Sequence, residues 1–295
     1  MTRRVMPVNG LRRAVAAHLP FGQVDLVHGL DVDLPVAGRA PLVTTIHDLA
    51  PFDAPWCMSR HRAFGERLIT RGTIRRADVV IAVSAFTASR IHDLFSRDAV
   101  CIPLAVSSTF SPASPHAIAA VSKRYRLPPR FVLQVGTIEP RKDVALLAAA
   151  CREVGVPLVL AGVANRKHPK PSGSVSLGYV PFRDLAPLYG AATIVTYISR
   201  YEGFGLPPLE AMACSAPVVC TDVASLKETV GDGARIVPRG DVTALGQVLR
   251  TLLCDNGERA ELAAAGRRRA VRRQWIDVAR ETAKVYASLG ACRLA

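Results

Sequence analysis

The apolar residues of this chain fall into short runs that alternate with longer amphipathic segments. In the first half, runs rich in branched residues predict strands, and the longer segments predict helices. The predicted strands cover 25–30, 41–47, 78–84 and 99–106, and the predicted helices cover 59–76 and the segment after Ser84, a suitable N-cap. Such an alternation is typical of α/β proteins with a parallel sheet.

The same pattern starts again after a segment rich in proline and small residues. "SPASPH" at 111–116 and "LPPR" at 127–130 mark a domain boundary. The strands predicted beyond it cover 130–137, 157–162, 175–180, 193–199 and 217–222, with helices between and after them.

We therefore predict two Rossmann-like domains. The first is short by about two βα units compared with such a domain, so we expect it to be truncated at its N-terminus. The predicted order is an incomplete first domain, a linker, a complete second domain and a final helix crossing back to the first domain, at 1–115, 116–129, 130–274 and 275–295.

Composition limits the class of protein without naming its function. A chain of 295 residues that is 49% apolar can bury two hydrophobic cores. No apolar run approaches the roughly 18 residues of a membrane span, so we expect a cytoplasmic protein. The formal net charge of +14 leaves three classes of partner open: nucleic acid, an anionic membrane surface and acidic substrates.

The first stretch that carries chemistry is "VGTIEPRKD", 135–143. A buried strand ends at Gly136 and a helix begins near Asp143, so Arg141 and Lys142 follow the carboxyl end of a strand. Ligands bind at that edge of open α/β sheets, and these two bases would clamp a diphosphate there. The alternative is a pair of solvated bases before a helix.

The second stretch is "RYEGFGLPPLEAMA", 200–213. A strand enters a glycine-containing turn, and two prolines then stand in the first turn of a helix, where they are tolerated. Glu202 precedes the turn and is suited to sugar or ribose hydroxyls, whereas Glu210 could simply offset the helix dipole. Set beside the bases at 141 and 142, these acids predict a ligand with both diphosphate and hydroxyl groups, which is a nucleotide sugar.

These stretches, together with "LGYVPFRDLAPLYGAA", "TTIHDLAPF" and "RRADVVIAVSAFTASRI", resemble glycosyltransferase family 4, a group of retaining enzymes with the GT-B fold. The resemblance covers about residues 24–290. It implies an α/β fold in which two Rossmann-like domains face a cleft.

The resemblance also implies roles for individual residues. Glu202 would lie at the donor sugar, Arg141 and Lys142 would neutralise the leaving diphosphate without a metal ion, and His47 would face the transferred sugar. For His47, a strand-end histidine with a purely structural hydrogen bond is the alternative. The implied donor-binding residues are Gly136, Thr137, Tyr179, Val180, Gly203, Phe204, Gly205, Leu206 and Glu210.

The implied reaction moves a hexosyl group, mannosyl or glucosyl, from a nucleoside-diphosphate sugar to an acceptor hydroxyl with retention. The expected acceptor is a saccharide or a lipid-linked sugar, and no cofactor is expected besides the donor. Peripheral contact with an anionic membrane would use the positive charge, whereas the arginines of 267–275 do not predict nucleic-acid binding, because they recur on several helix faces. The alternative is a truncated, non-catalytic nucleotide-sugar-binding or scaffolding protein.

Overall fold

All four strands predicted in the first half form, and they lie parallel in one sheet. The computed structural model describes residues 24–35, 39–164 and 169–290. The four strands are β1 (Val27–Gly29), β2 (Leu42–Ile46), β3 (Val79–Ala82) and β4 (Val100–Cys101), in the order β1-β2-β3-β4. β2 and β3 are buried almost throughout, which explains their continuous apolar runs.

In the part of the chain that the structure describes, three helices lie between the strands of this sheet. They are α1 (Ala50–Asp53), α2 (Arg60–Arg76) and α3 (Ala85–Phe95). Ser59 and Ser84 cap α2 and α3, because each side chain accepts a hydrogen bond from a backbone N–H of the first turn. Ile74 and Ile91 reach from these helices into a core that also contains Ile46.

The second sheet has six parallel strands in the Rossmann order. The predicted five are β5 (Val132–Val135), β6 (Leu158–Ala161), β7 (Val175–Gly178), β8 (Ile194–Tyr197) and β9 (Val218–Thr221), and β10 (Arg235–Val237) adds an edge that was not predicted. Their order across the sheet is β7-β6-β5-β8-β9-β10. The chain therefore reverses its direction of winding between β5 and β8, and such a point is where ligands bind.

Helices surround the six strands and bury a large apolar core. They are α4 (Pro115–Tyr125), α5 (Val144–Glu153), α6 (Phe182–Ala191), α7 (Leu206–Ala213), α8 (Ala224–Val230), α9 (Val242–Cys254) and α10 (Asn256–Ala270). Leu147 of α5 and Leu245 and Leu249 of α9 are fully buried in one cluster with strand residues.

The segment predicted as a linker, 116–129, lies mostly in α4. Ser114 caps this helix and Pro115 occupies its first turn. Arg124 and Tyr125 at its end both bind Asp184 of α6, with Arg124 NH1 2.8 Å and Tyr125 OH 2.7 Å from Asp184 Oδ2. The segment is therefore fastened to the second sheet instead of connecting two domains loosely.

The contacts divide the chain into two compact units. One unit contains the described residues up to Pro103 and from Ile276 onward, and the other contains the described residues of Leu104–Trp275. The last helix, α11 (Trp275–Ser288), thus contributes most of its length to the first unit, where Tyr286 binds His28. In the part of the chain that the structure describes, no helix combines the length and the apolar character needed to cross a bilayer.

Candidate donor-binding and active site

The predicted basic and acidic stretches meet at the switch point of the second sheet. Arg141 and Lys142 follow β5, and Glu202 follows β8, which is the neighbour of β5. Both strands are parallel, so their carboxyl ends reach the same edge of the sheet. The topology thus brings together residues that are 60 positions apart in the sequence.

A short 3₁₀ turn, Pro140–Lys142, holds the two bases in place. The buried amide of Gln134, on β5, fixes this turn: its Nε2 donates to the carbonyl of Lys142 at 3.0 Å, and its Oε1 accepts from Ile198 N at 2.9 Å. Gln134 therefore ties the basic turn to the end of β8. Sequence reasoning missed this residue, although a single polar side chain inside a buried strand was a usable signal.

Glu202 is the centre of a buried charge cluster. Only 6% of Glu202 and 5% of Lys142 is exposed. Lys142 Nζ lies 2.6 Å from Glu202 Oε1, and Arg141 NH1 lies 2.8 Å from Glu202 Oε2. The Ser199 hydroxyl donates a further hydrogen bond to Oε1 at 2.6 Å. Each carboxylate oxygen therefore contacts a cation, which differs from the predicted separation of acids and bases into two halves of the site.

The surroundings of Glu202 keep it ionised. Burial alone would raise its pKa, but the positive charges of Lys142 and Arg141 and the hydrogen bonds from Lys142 and Ser199 outweigh burial, so the pKa is lowered. Burial lowers the pKa of Lys142, and Arg141 acts in the same direction, while the negative charge of Glu202 opposes both. The carboxylate is thus what holds a proton on this buried lysine.

Tyr197, at the end of β8, also contacts the ammonium group of Lys142. The Lys142 ammonium donates a short hydrogen bond to the Tyr197 hydroxyl and lies 4.0 Å from the centroid of its ring. Burial raises the pKa of Tyr197 well above its usual value, so the phenol stays neutral. An ammonium that is fixed by a ring and a carboxylate has little freedom, which favours a defined position for a bound anion.

The glycine turn after Glu202 leads directly into α7. Gly205 adopts φ +106°, a conformation that side chains disfavour, and it is the N-cap of the helix. Pro207 and Pro208 stand in the first turn as predicted. Glu210 lies one turn deeper, as the fifth residue of α7, so an interaction with the first free N–H groups does not explain it.

Glu210 instead has a partner on another helix. The hydroxyl of Tyr189, a fully buried residue of α6, donates to Glu210 Oε2 at 3.0 Å. Burial raises the pKa of Glu210, and this hydrogen bond opposes the rise. Tyr189 was not among the predicted site residues.

The remaining predicted donor-binding residues lie along the same edge of the sheet. Gly136 and Thr137 follow β5, with Gly136 at φ +134°, and the turn of Gly203 to Leu206 follows β8. Tyr179 and Val180 follow β7, where Tyr179 is 74% exposed and Val180 is buried. Their roles in binding a donor remain predictions.

His47 belongs to the first unit and follows β2. It is exposed, and its Nε2 donates to the carbonyl of Leu30 at 2.8 Å, which leaves Nδ1 as the ring nitrogen that can accept a hydrogen bond. A second histidine, His28 on β1, was not predicted as a site residue. Its Nδ1 lies 2.6 Å from Tyr286 OH and its Nε2 lies 2.9 Å from Thr45 Oγ1.

The electrostatic state of His28 follows from this setting. Burial, reinforced by the nearby His47, lowers the pKa of His28 to about 4. His28 is therefore neutral at physiological pH.

Two arginines of the stretch at 267–275 form hydrogen bonds to the backbone of the same unit. Arg267 donates to the carbonyl of Ala213, and Arg269 donates to the carbonyls of Glu228 and Thr229.

Within the described ranges, no three residues of histidine, cysteine, aspartate or glutamate group in a way that could hold a metal ion.

Solved structures share this fold. Sucrose-phosphate synthase from Thermosynechococcus elongatus superposes with a TM-score of 0.78 at 23% identity, over 95% of this chain and 77% of that one. HepE of Anabaena, solved in complex with UDP-glucose, superposes with a TM-score of 0.71 at 22% identity, over 86% of this chain and 73% of its own. The two parallel sheets and these neighbours place the chain in the GT-B class.

Sequence comparison then gives the family. Residues 120–269 match the family described as glycosyl transferases group 1, and residues 2–109 match glycosyltransferase family 4. O-antigen chain mannosyltransferase B of Escherichia coli is 34% identical over 264 residues, which is 83% of this chain and 69% of that enzyme. The chain also spans about a third of the length of longer mannosyltransferase relatives. The chain belongs to glycosyltransferase family 4.

Proposed function

We propose that this protein transfers a hexosyl group from a nucleoside-diphosphate sugar to an acceptor hydroxyl, with retention of configuration and without a metal ion. One observation carries the proposal: a buried carboxylate, Glu202, is held by Lys142 and Arg141 at the switch point of the second sheet. The similar protein HepE was solved with UDP-glucose, which supports a nucleotide sugar as donor.

The charges of the site suit a departing diphosphate. Two cations are paired with Glu202, and Arg141 also contacts Glu139 Oε1 through Nε at 2.7 Å. Glu139 is the more exposed of the two acids, so a diphosphate would replace it on Arg141 more readily than it would replace Glu202. Arg141 and Lys142 would then balance the charge that forms on the leaving group, which is the part a metal ion has in other transferases.

The proposed step keeps the incoming and departing groups on one face of the sugar. The bond between the anomeric carbon and the phosphate oxygen breaks, and its electron pair stays on the phosphate. The acceptor oxygen forms its bond to the anomeric carbon from the same face, and its proton passes to the leaving phosphate. Glu202 stabilises the positive charge on the sugar; paired with two cations, it is poorly suited to act as a covalent nucleophile.

Similarity to O-antigen chain mannosyltransferase B favours mannose, with glucose as the alternative hexose. The acceptor proposed from this resemblance is a saccharide or a lipid-linked sugar. His47 of the first unit is proposed to contact the transferred sugar through its acceptor nitrogen.

Binding measurements test the donor site. We expect saturable calorimetric binding of one of UDP, GDP and ADP, weakened at least tenfold by Lys142→Ala and by Glu210→Ala. Lys123→Ala removes a lysine from an exposed position of α4 and is the matched control. Absence of binding to all three nucleotides would contradict the proposal. Binding without sugar transfer to any of a panel of saccharide and lipid-linked acceptors would favour a non-catalytic binding protein.

Contact with an anionic membrane is part of the proposal, and one face of α2 supports it. Phe64 and Leu68 are 64% and 55% exposed there. Arg60, Arg71 and Arg75 share that face by helical periodicity. Glu66 lies outside it and pairs with Arg62. An apolar strip between arginines complements an anionic bilayer surface.

Vesicle co-sedimentation tests this surface. We expect binding to vesicles that contain phosphatidylglycerol and little binding to phosphatidylcholine alone. The double change Arg71→Glu and Arg75→Glu should abolish binding, whereas Arg268→Glu with Arg272→Glu, the same change of charge in the second unit, should largely preserve it. Equal loss in both pairs would show that net charge alone drives the contact.

A further inference from the structure

Tyr189 donates a hydrogen bond to a carboxylate of the proposed site, Glu210. Its ring is fully buried in α6, at 6.1 Å from the ring of Phe110, and its hydroxyl reaches Glu210 Oε2 on α7 at 3.0 Å. Burial raises the pKa of Tyr189 well above its usual value. The phenol therefore keeps its proton, and the direction of the hydrogen bond is fixed from tyrosine to carboxylate.

The carboxylate that receives this bond is only half-buried. Tyr189 holds Oε2 of Glu210. Glu210 lies on α7, the helix that begins at the glycine turn, and its side chain is partly exposed. A carboxylate with one oxygen fixed cannot rotate freely, so its other oxygen keeps one orientation.

We infer that Tyr189 is a positioning residue: it holds Oε2 of Glu210 so that Oε1 is presented as the acceptor for a ribose hydroxyl of the nucleotide. The inference rests on the proposed function, in which Glu210 binds the ribose. It adds a residue from a different helix, one that does not touch the ligand and acts through Glu210.

Two consequences separate this role from simple packing. Without the hydroxyl, Glu210 rotates, and discrimination between ribose and 2′-deoxyribose weakens. The loss of a donor also raises the pKa of Glu210 further, so the decline of nucleotide affinity on the acid side begins at a higher pH.

Tyr189→Phe removes one oxygen and leaves the ring in place. Tyr125→Phe is the matched control, because its hydroxyl also donates to a carboxylate, that of Asp184, at 2.7 Å in the same unit. The probes are the nucleotide among UDP, GDP and ADP that the wild type binds best and its 2′-deoxy counterpart. Affinities are measured by calorimetry from about pH 5 to about pH 8, above the usual pKa of glutamate, because the pKa of Glu210 is raised.

For Tyr189→Phe we expect affinity for the ribonucleotide to fall about fivefold and affinity for the 2′-deoxynucleotide to change little. The acid-side decline should move to higher pH. Tyr125→Phe should leave the ratio of ribonucleotide to 2′-deoxynucleotide affinity, and the pH profile of affinity, as in the wild type. Wild-type ratio and profile in Tyr189→Phe would overturn the inference.

Glu210→Gln provides a second readout that does not depend on the folding of the tyrosine variant. Tyr189 would donate to the amide oxygen and turn the amide NH₂ toward the ligand, so the ribose hydroxyl would lose its charged acceptor and discrimination should weaken. Discrimination equal to that of the wild type in Glu210→Gln would contradict the proposed orientation. A wild type that binds none of the nucleotides, or binds both sugars equally, would instead overturn the proposed function of Glu210 on which the inference rests.

Discussion

The two sheets carry polar groups that differ in charge. In the second unit, Glu202, Lys142 and Arg141 are charged and buried together. In the first unit, His28 is half-buried and neutral, between two hydroxyl groups. The second unit therefore has a charge-balanced cluster beyond the ends of two inner strands, whereas the first has an uncharged hydrogen-bond chain on its edge strand β1.

Under the proposed function, this difference would suit each unit to a different part of the transfer. A cluster that supplies its own counter-ion can hold cations in place before an anionic ligand arrives. A neutral imidazole between hydroxyls has no charge to balance and presents only hydrogen-bonding atoms. In the proposed reaction, the second unit would bind the phosphate-bearing donor and the first would bind the uncharged acceptor hydroxyl.

The largest expected effect comes from breaking the charge balance of the second unit. Glu202→Gln leaves Lys142 and Arg141 without their shared carboxylate, and we expect the free energy of unfolding to fall by about 3–5 kcal/mol in chemical denaturation. Glu66→Gln makes the same change in an exposed pair with Arg62 and should cost less than about 1 kcal/mol. Similar losses of unfolding free energy in both variants would show that Glu202 does not balance the charges of Lys142 and Arg141.

The next largest expected effect on stability comes from the close packing of Gly162 against the backbone of Gly136. A Cβ on Gly162 would lie 1.9 Å from the carbonyl oxygen of Gly136, and no flexible side chain can relieve that clash. We expect Gly162→Ala to destabilise the protein by about 3 kcal/mol. In the first unit, Gly65 on α2 has open space around its Cβ position, so Gly65→Ala should stabilise by about 0.5–1 kcal/mol. Thermal and chemical denaturation of both variants measure the contrast.

A change in the first unit should affect the rate of sugar transfer more than it affects nucleotide binding. If His47 contacts the transferred sugar, His47→Ala should lower kcat about 100-fold and leave nucleoside-diphosphate affinity unchanged. His61→Ala, at an exposed position of α2, is the control and should alter neither quantity. A parallel loss of nucleotide affinity in His47→Ala would assign the residue to donor binding instead.

The pH dependence of stability gives the smallest expected effect. The pKa of His28 falls from its usual 6.5 to about 4 in the folded protein, so the unfolded state binds more protons between these values. Its contribution is present above pH 6.5 and is lost as the pH falls toward 4. Allowing for partial solvent screening, we expect about 2 kcal/mol, measured as the difference between wild type and His28→Asn. Parallel pH curves for the two proteins would contradict a neutral His28.

Much of the fold was predictable because parallel strands that are buried on both faces are continuous apolar runs. The structure contains each of the nine predicted strands and adds β10, a short edge strand with one exposed and one half-buried residue. The segment predicted as a linker contains the helix Pro115–Tyr125, which was not predicted although Ser114 and Pro115 form a helix start.

The candidate site was predictable only in part. Spacing and charge identified Glu202, Arg141 and Lys142, and the switch-point topology explains why they meet. Their direct pairing could not be predicted, because pattern alone gives no distances. Tyr189 and Ser199 also escaped prediction, since a single hydroxyl on a helix or loop carries no periodic signal.

The arginines at the end of α10 change the meaning of the formal charge of +14. Arg267 and Arg269 donate to carbonyls at the ends of α7 and α8, so these two charges already serve as permanent internal ligands of the protein. Hydrogen bonds to neutral carbonyls leave both guanidinium charges in place, so the net charge is unchanged while these two charges are fixed in position. The electric field that draws a partner toward this protein therefore includes them, together with the arginines on α2 and other exposed faces.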